Sequence, residues 1–420
     1  MQHLNYSTTR AAPMVALPVE KKRRTYRYPE ELRDKIIVDV IHDGDYLPPE
    51  FLIDAKGRKI PETLVRRHFH VERDWGANRV AARISERLGL SQFYTVQTAR
   101  CLLDFGRFPG ITHEGAPHLR RFAINHPFSE LLSFNQKRRL LEEHYDSISR
   151  QMDDAVRDKV VKIAVHTYDR FNANGTERPE VSLVTRALGY QLDNELPYGV
   201  FDPLYPDILA EVTVDRILRD RVSLNLEKAG IPVAHNYPYL LPEGSPEVRH
   251  QVWSFFHWVR GRFETAYPST ATLPEAQLVW NMLMDTNLRS AEGSALRDFL
   301  HMFRRPPKGR VREFTRAQRI YERICLFVAD NNAEMVEYYR KSSERPMSLG
   351  IEVRKDLVWE FNDEGTPIRL ANERAMQIAD KIAQAIAQYF REDRLDAHQL
   401  REHVDNLSSP ELEGRAEVSP

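Results

Sequence analysis

The chain has 420 residues, 42% of them hydrophobic and 29% charged, enough to bury a large core in one big domain or two. Sixty Lys and Arg face 61 Asp and Glu, for a formal charge of -1, so bulk electrostatics favour neither a nucleic acid nor an anionic membrane as partner. Two cysteines in apolar contexts exclude a disulfide framework, no apolar run is long enough to span a bilayer, and no secretory signal is read near Met1, which makes the cytoplasm the expected compartment.

Residues 1–25 are polar, Pro-containing and aperiodic and are expected to be flexible, and 396–420 is expected to be a partly disordered tail. Between them, short β-branched runs alternate with long amphipathic stretches. The runs predict strands over 36–41, 93–98, 160–165, 181–185, 232–236 and 348–354. The amphipathic stretches predict helices over 74–88, 128–154, 207–229, 246–267, 274–287, 315–341 and 372–391. This alternation predicts an α/β fold, a three-layer sandwich whose mixed, mostly parallel central sheet is flanked by helices. Strand signals stop over 244–346, which therefore reads as a helical insertion into a single α/β domain made of 26–243 and 347–395.

The first strand, in KIIVDVIHDGDYLPPE, has the apolar density of a strand buried on both faces and then ends in His42, Asp43, Gly44 and Asp45. Ligands collect at the carboxyl ends of strands in open α/β sheets. A second apolar run, VVKIAVHTYDR, closes on His166. Two such imidazoles in one crevice suit zinc, with a carboxylate as the expected third ligand and an open position for water. Asp74, near the start of the helix in HFHVERDWGANRVAARISERLGL, is one candidate, although an N-cap role would explain it equally well. His70 and Glu72 precede it in an expected loop. In TARCLLDFGRFPG, Arg100 and Arg107 form a fork for a substrate carboxylate, or Asp104 holds one of them in an internal ion pair. In SLGIEVRKDLVW, Glu352 and Arg354 share one side of a strand. Glu352 has Leu349, Ile351 and Val353 around it, and desolvation there would raise its pKa and suit it to proton transfer.

At these residues the chain resembles the N-formylglutamate amidohydrolase family, metal-dependent amide hydrolases with a fold akin to the zinc carboxypeptidases and aspartoacylases. The resemblance runs across residues 36–240 and 348–393 and is carried in order by VIHDGDYLPPEF, HVERDWGA, ARCLLDFGR, AVHT, NYPY and EVRK. Gly106 stands where the family commonly has Asn, and Arg354 comes one residue earlier than the family's Glu-x-x-Arg strand has its Arg. The resemblance implies a zinc or similar divalent ion on His42, His166 and a carboxylate placed at Asp74, with Asp45, Glu50 and Glu72 as the other candidates. It implies a substrate carboxylate held by Arg100 and Arg107 with Asn236 and Arg354 nearby, and Glu352 as general base and acid.

The expected function is metal-dependent cleavage of an amide bond in an N-acyl amino acid or peptide-like substrate bearing a carboxylate. The alternative is a non-catalytic binding or regulatory protein on the same scaffold. No nucleic-acid or membrane partner is expected, since RRPPKGRVR and KKRR are short basic runs without interleaved aromatics. Any homo-oligomer is expected to form through the helical insertion.

Overall fold

In the segment Ile-Ile-Val-Asp-Val all five side chains are buried, because the strand they form lies inside a sheet covered on both sides. The computed structural model describes residues 5–20, 25–111, 122–187 and 201–393. Its strands are β1 (Met14–Pro18), β2 (Ile36–Val40), β3 (Gln92–Val96), β4 (Phe108–Ile111), β5 (Phe122–Ile124), β6 (Val161–Tyr168), β7 (Val181–Val184), β8 (Val233–His235), β9 (Met347–Arg354), β10 (Trp359–Phe361) and β11 (Pro367–Leu370). The α-helices are α1 (Glu62–Glu72), α2 (Ala77–Leu88), α3 (Phe128–Leu131), α4 (Phe134–Arg139), α5 (Asp146–Val156), α6 (Asp207–Glu211), α7 (Arg216–Lys228), α8 (Pro246–Ala266), α9 (Pro274–Leu283), α10 (Ala291–Met302), α11 (Val311–Lys341) and α12 (Glu373–Gln388).

Seven strands form one sheet in the order β1-β3-β2-β6-β9-β7-β8. The β3-β2, β2-β6, β6-β9 and β7-β8 pairs are parallel, while β1-β3 and β9-β7 are antiparallel, so the sheet is mixed and mostly parallel as expected. Helices α2, α7 and α12 pack together on one face, and α5 and α8 cover the other, which completes three layers. All six expected strands form, within two residues of their predicted ends except β6, which runs three residues further, to Tyr168.

The two faces of the sheet differ in chemistry. One buries the aliphatic side chains of β2, β6 and β9 against Ile378, Ile382 and Ile386 of α12. The other meets α8 through charge. Lys162 of β6 is fully buried, and its Nζ donates to Asp39 Oδ1 of β2 at 2.6 Å and to Glu247 Oε1 of α8. Burial works against the Lys162 charge, but the two carboxylates hold its pKa above the ordinary lysine value. Residues of this seam lie between two apolar clusters, one around the sheet and one among α8 to α11.

Several elements differ from the sequence reading. Within the N-terminal segment expected to be flexible, Met14–Pro18 pairs with β3 as an edge strand; of its five residues only Met14 is buried, which is why it lacks a strand's apolar signal. Residues 1–4, 21–24 and 394–420 lie outside the described residues, and so does the whole of the expected disordered tail. His70 and Glu72 are not in a loop but in α1, a helix that buries only Val65 and Phe69 and so shows little periodicity. The single helix expected over 128–154 is divided into α3, α4, a π-helical turn at Leu140–Tyr145 and α5. The helix expected from Asp74 begins at Ala77, after Gly76 at φ 90°, where an added Cβ would meet Val358 at 2.4 Å.

Candidate active site and metal centre

Parallel pairing of β2, β6 and β9 brings their carboxyl ends to one edge of the sheet, and there they border a cleft of about 1120 Å³. His42 follows β2 by two residues, His166 lies near the end of β6, and Glu352 sits opposite His166 in the register of β9. Asp74 is delivered by the loop between α1 and α2, where its backbone N–H donates to the His42 carbonyl at 3.0 Å. Its side chain does not cap α2; the Asn78 N–H at that helix start donates instead to Asp43 Oδ2 at 3.0 Å.

Three atoms converge. His42 Nδ1 and His166 Nδ1 are 3.2 Å apart, Asp74 Oδ2 is 2.9 Å from His166 Nδ1, and it is 3.4 Å from His42 Nδ1. An ion with tetrahedral bonds of about 2.0–2.1 Å to nitrogen and oxygen has ligand–ligand edges of roughly 3.3 Å, so this triangle has the size a zinc-like ion requires. Among the described residues it is the group of His, Cys, Asp and Glu that could hold a metal, and Asp45, Glu50 and Glu72 do not belong to it. Glu72 lines the cleft nearby, while Glu50 lies 3.8 Å from Arg139 elsewhere.

Neighbouring groups hold these side chains in place. His42 Nε2 lies 2.8 Å from Asp104 Oδ1, and a carboxylate can only accept, so the ring donates from Nε2 and directs the Nδ1 lone pair at the triangle. Burial opposes ionisation of Asp104, but Arg107, His42 and Arg100 hold its carboxyl well below the usual range. Gly106 N–H also donates to Asp104 Oδ1, at 2.9 Å, and a Cβ at Gly106 would come within 3.3 Å of the His42 ring. The absence of a side chain there leaves room for the His42–Asp104 pair. Arg73 donates from Nε to Asp43 Oδ1 at 2.7 Å and lies 4.3 Å over the Trp75 ring, which braces the loop that carries Asp74.

Arg100 and Arg107 both line the cleft, and both are committed to carboxylates. Arg100 donates from Nη1 to Asp74 Oδ1 at 2.9 Å and from Nε to Asp104 Oδ2 at 3.2 Å. Arg107 Nε lies 3.0 Å from Asp104 Oδ2, and its Nη1 donates to Asn125 Oδ1 at 2.9 Å. The internal ion pair thus describes Arg100 better than a substrate fork does. Two other expected substrate contacts do not line the cleft. Asn236, at φ 53°, accepts from the N–H groups of Thr185 and Arg186 at 2.8 and 3.1 Å and so ties off the end of β7. Arg354, the last residue of β9, pairs with Glu177 at 2.8 Å and Asp356 at 2.9 Å, so although the strand's period puts it on the side of Glu352 its guanidinium is committed to these two carboxylates.

Electrostatics separate the acids by role. Asp74 is buried, which alone would raise its pKa, yet Arg100 and the two imidazoles hold it far below the normal carboxylate value. His166 is buried too, which would lower its pKa, but the bond to Asp74 and the charge of Glu352 push it up to about 9. Glu352 is pushed up to about 7, because burial and the Asp74 charge outweigh the pull of His166, Arg100 and His42. A carboxyl poised near neutrality beside a carboxylate locked in its ionised form is the pattern of separated acid–base roles.

The sequence reading missed the His42–Asp104 bond. The signal for it was a lone Asp inside the apolar run CLLDF, which can be buried only with several cationic or donor partners.

The sequence matches no protein-family model and no curated protein. Among solved structures, the chain is similar to the crystal structure of N-formylglutamate amidohydrolase from Ralstonia eutropha JMP134, with 14% sequence identity, a TM-score of 0.48, and coverage of 90% of this chain and 98% of that one. It is also similar to the crystal structure of a gene product from Agrobacterium tumefaciens, with 13% identity, a TM-score of 0.39, and coverage of 94% and 99%.

Proposed function

We propose that this cleft hydrolyses an amide bond in a substrate that bears a carboxylate, with His42, Asp74 and His166 holding a divalent ion. The observation that carries this reading is the triangle of three donor atoms with edges of 2.9, 3.2 and 3.4 Å, next to a glutamate on the adjoining strand. A zinc-like ion bound there supplies Lewis acidity to the amide carbonyl and to water. The chain's own residues do the rest. Glu352 in its ionised form accepts a proton from the attacking water, the water oxygen bonds to the carbonyl carbon, and the same proton passes to the departing nitrogen as the C–N bond breaks. The products are a carboxylic acid and an amine.

In the metal-free protein, burial and the Asp74 charge push Glu352 up to about 7, and a cation on His42, Asp74 and His166 would favour its ionised, proton-accepting form. Arg107, steadied by Asp104 and Asn125 at the cleft wall, stabilises negative charge as it develops on the carbonyl oxygen. Arg100 holds Asp74 in place. The segment leading into α8 forms the facing wall, through Leu241 and Ser245 among others, and α8 itself contributes Glu247, so the helical block narrows the cleft from one side.

The reading is tested by assaying a panel of N-acyl amino acids with metal-stripped and zinc-reconstituted protein. Release of amine that requires metal and vanishes in Glu352→Gln, with metal still bound, is the expected result. Metal binding without turnover of any amide would favour the binding-protein alternative.

A further inference from the structure

Among the described residues, five Lys and Arg side chains line the cleft, and four of them pair with carboxylates. Arg73 pairs with Asp43 at 2.7 Å, Arg100 with Asp74 at 2.9 Å, Arg107 with Asp104 at 3.0 Å and Lys355 with Asp169 at 2.5 Å. The fifth, Arg178, has no carboxylate within 4.0 Å among the described residues. Its Nη1 donates to the Asp169 carbonyl at 3.4 Å and the guanidinium also engages the Tyr239 hydroxyl, while its Nε is buried without a hydrogen-bond partner among those residues.

The guanidinium is nevertheless well held. Its Cζ lies 5.4 Å from the ring centroid of Tyr168 and 5.2 Å from that of Tyr239, and both rings line the same cleft. Tyr168 follows His166 by two residues on β6 and so shares its face of the sheet. The Arg178 backbone is anchored as well: its N–H donates to the Arg170 carbonyl at 2.8 Å, and its carbonyl accepts from Arg354 Nη1 at 3.3 Å. The Tyr239 phenol has its pKa raised by burial first, with Arg178 lowering it and Glu352 raising it, so the three groups share one region of the cleft.

Resting on the hydrolase reading above, we propose that Arg178, flanked by Tyr168 and Tyr239, is the anchor for the substrate carboxylate, and that the substrates are N-acyl amino acids or peptides whose free carboxylate extends past Glu352 to this fork. A guanidinium braced by aromatic rings and paired with no carboxylate can turn its remaining N–H donors to a substrate carboxylate, and each charge-assisted bond formed there is stronger than a neutral one. This reassigns to Arg178 the substrate contact that spacing suggested for Arg100 and Arg107.

The test is calorimetric binding of N-acetyl-L-leucine and of its uncharged carboxamide to metal-free protein, in the wild type and in Arg178→Met, Arg178→Lys and Arg107→Met. The wild type is expected to prefer the acid. Arg178→Met should weaken binding of the acid roughly tenfold to a hundredfold and leave the carboxamide unchanged. Arg178→Lys should recover part of the loss, which a folding defect would not allow. Equal wild-type affinity for acid and carboxamide, an unchanged preference in Arg178→Met, or a preference lost in Arg107→Met but kept in Arg178→Met would each overturn the assignment. Hydrolysis is read separately. A preference that depends on Arg178 in a protein that cleaves no amide keeps the anchor and removes the hydrolase reading, whereas metal-dependent cleavage with an Arg178→Met preference like the wild type's does the reverse.

Discussion

Asp104→Asn probes the link between stability and metal binding with little change in volume. The wild-type carboxylate is 1% exposed and accepts from Gly106 N at 2.9 Å and His42 Nε2 at 2.8 Å through Oδ1, while Oδ2 meets Arg107 Nε at 3.0 Å and Arg100 Nε at 3.2 Å. An asparagine can keep its oxygen toward His42 and Gly106, but its NH2 then faces two guanidinium donors. Two charge-assisted bonds are lost at about 1.5–3 kcal/mol each, which agrees with about 3–5 kcal/mol for breaking a buried pair. Metal affinity should fall about 10–100-fold, because His42 loses the anion that fixes its tautomer and orientation. Urea denaturation of the metal-free protein measures the first quantity, and zinc competition against a fluorescent chelator measures the second. A variant as stable as the wild type, with zinc affinity within about twofold, would refute the role given to Asp104.

Glu352→Gln should abolish amide turnover and leave zinc stoichiometry at the wild-type value; retained turnover would remove Glu352 from the chemistry. In the metal-free protein the His166 pKa is raised from 6.5 to about 9, so its stabilising contribution of about 3 kcal/mol is complete below pH 6.5 and is lost as pH rises through 9. Denaturation of the metal-free protein across pH 6–10 should show this fall, and His166→Ala should lack it. The same proton must leave before His166 can bind an ion, so zinc affinity should rise close to tenfold per pH unit from 7 to 9, with proton release detectable by calorimetry in buffers of different ionisation heat. Lys162→Met leaves Asp39 and Glu247 buried without their cation and should cost about 3–5 kcal/mol in urea denaturation, whereas an unchanged midpoint would mean that the seam carries no such charge.

The central strands were legible because β2, β6 and β9 are buried on both faces and therefore read as dense, largely β-branched apolar runs despite the polar residues within them. Edge and accessory elements were not. β1 buries one residue of five, α1 buries two residues of eleven, and β10 and β11 are only three and four residues long, so none of them has a strong period. The polar strand ends pointed to His42 and His166, because a core would reject them. Which carboxylate lies beside them depended on a loop between two helices, and spacing could not choose between Asp74 and Asp45, Glu50 or Glu72. The arginines show the same limit. A guanidinium near a site reads identically whether it faces substrate or an internal acid, and only the fold distinguishes Arg100, which spans Asp74 and Asp104, from Arg178, which lies between two tyrosine rings. Arg178 also comes from the excursion between β6 and β7, turned by Asn172 and Gly175, where no element was expected.

The metal centre is tested most directly by anomalous diffraction at the zinc edge from crystals of the zinc-reconstituted protein. One peak is expected per chain, about 2.0–2.2 Å from His42 Nδ1, His166 Nδ1 and an Asp74 oxygen. A zinc-loaded crystal with its peak elsewhere, or with no peak between these three side chains, would contradict the account.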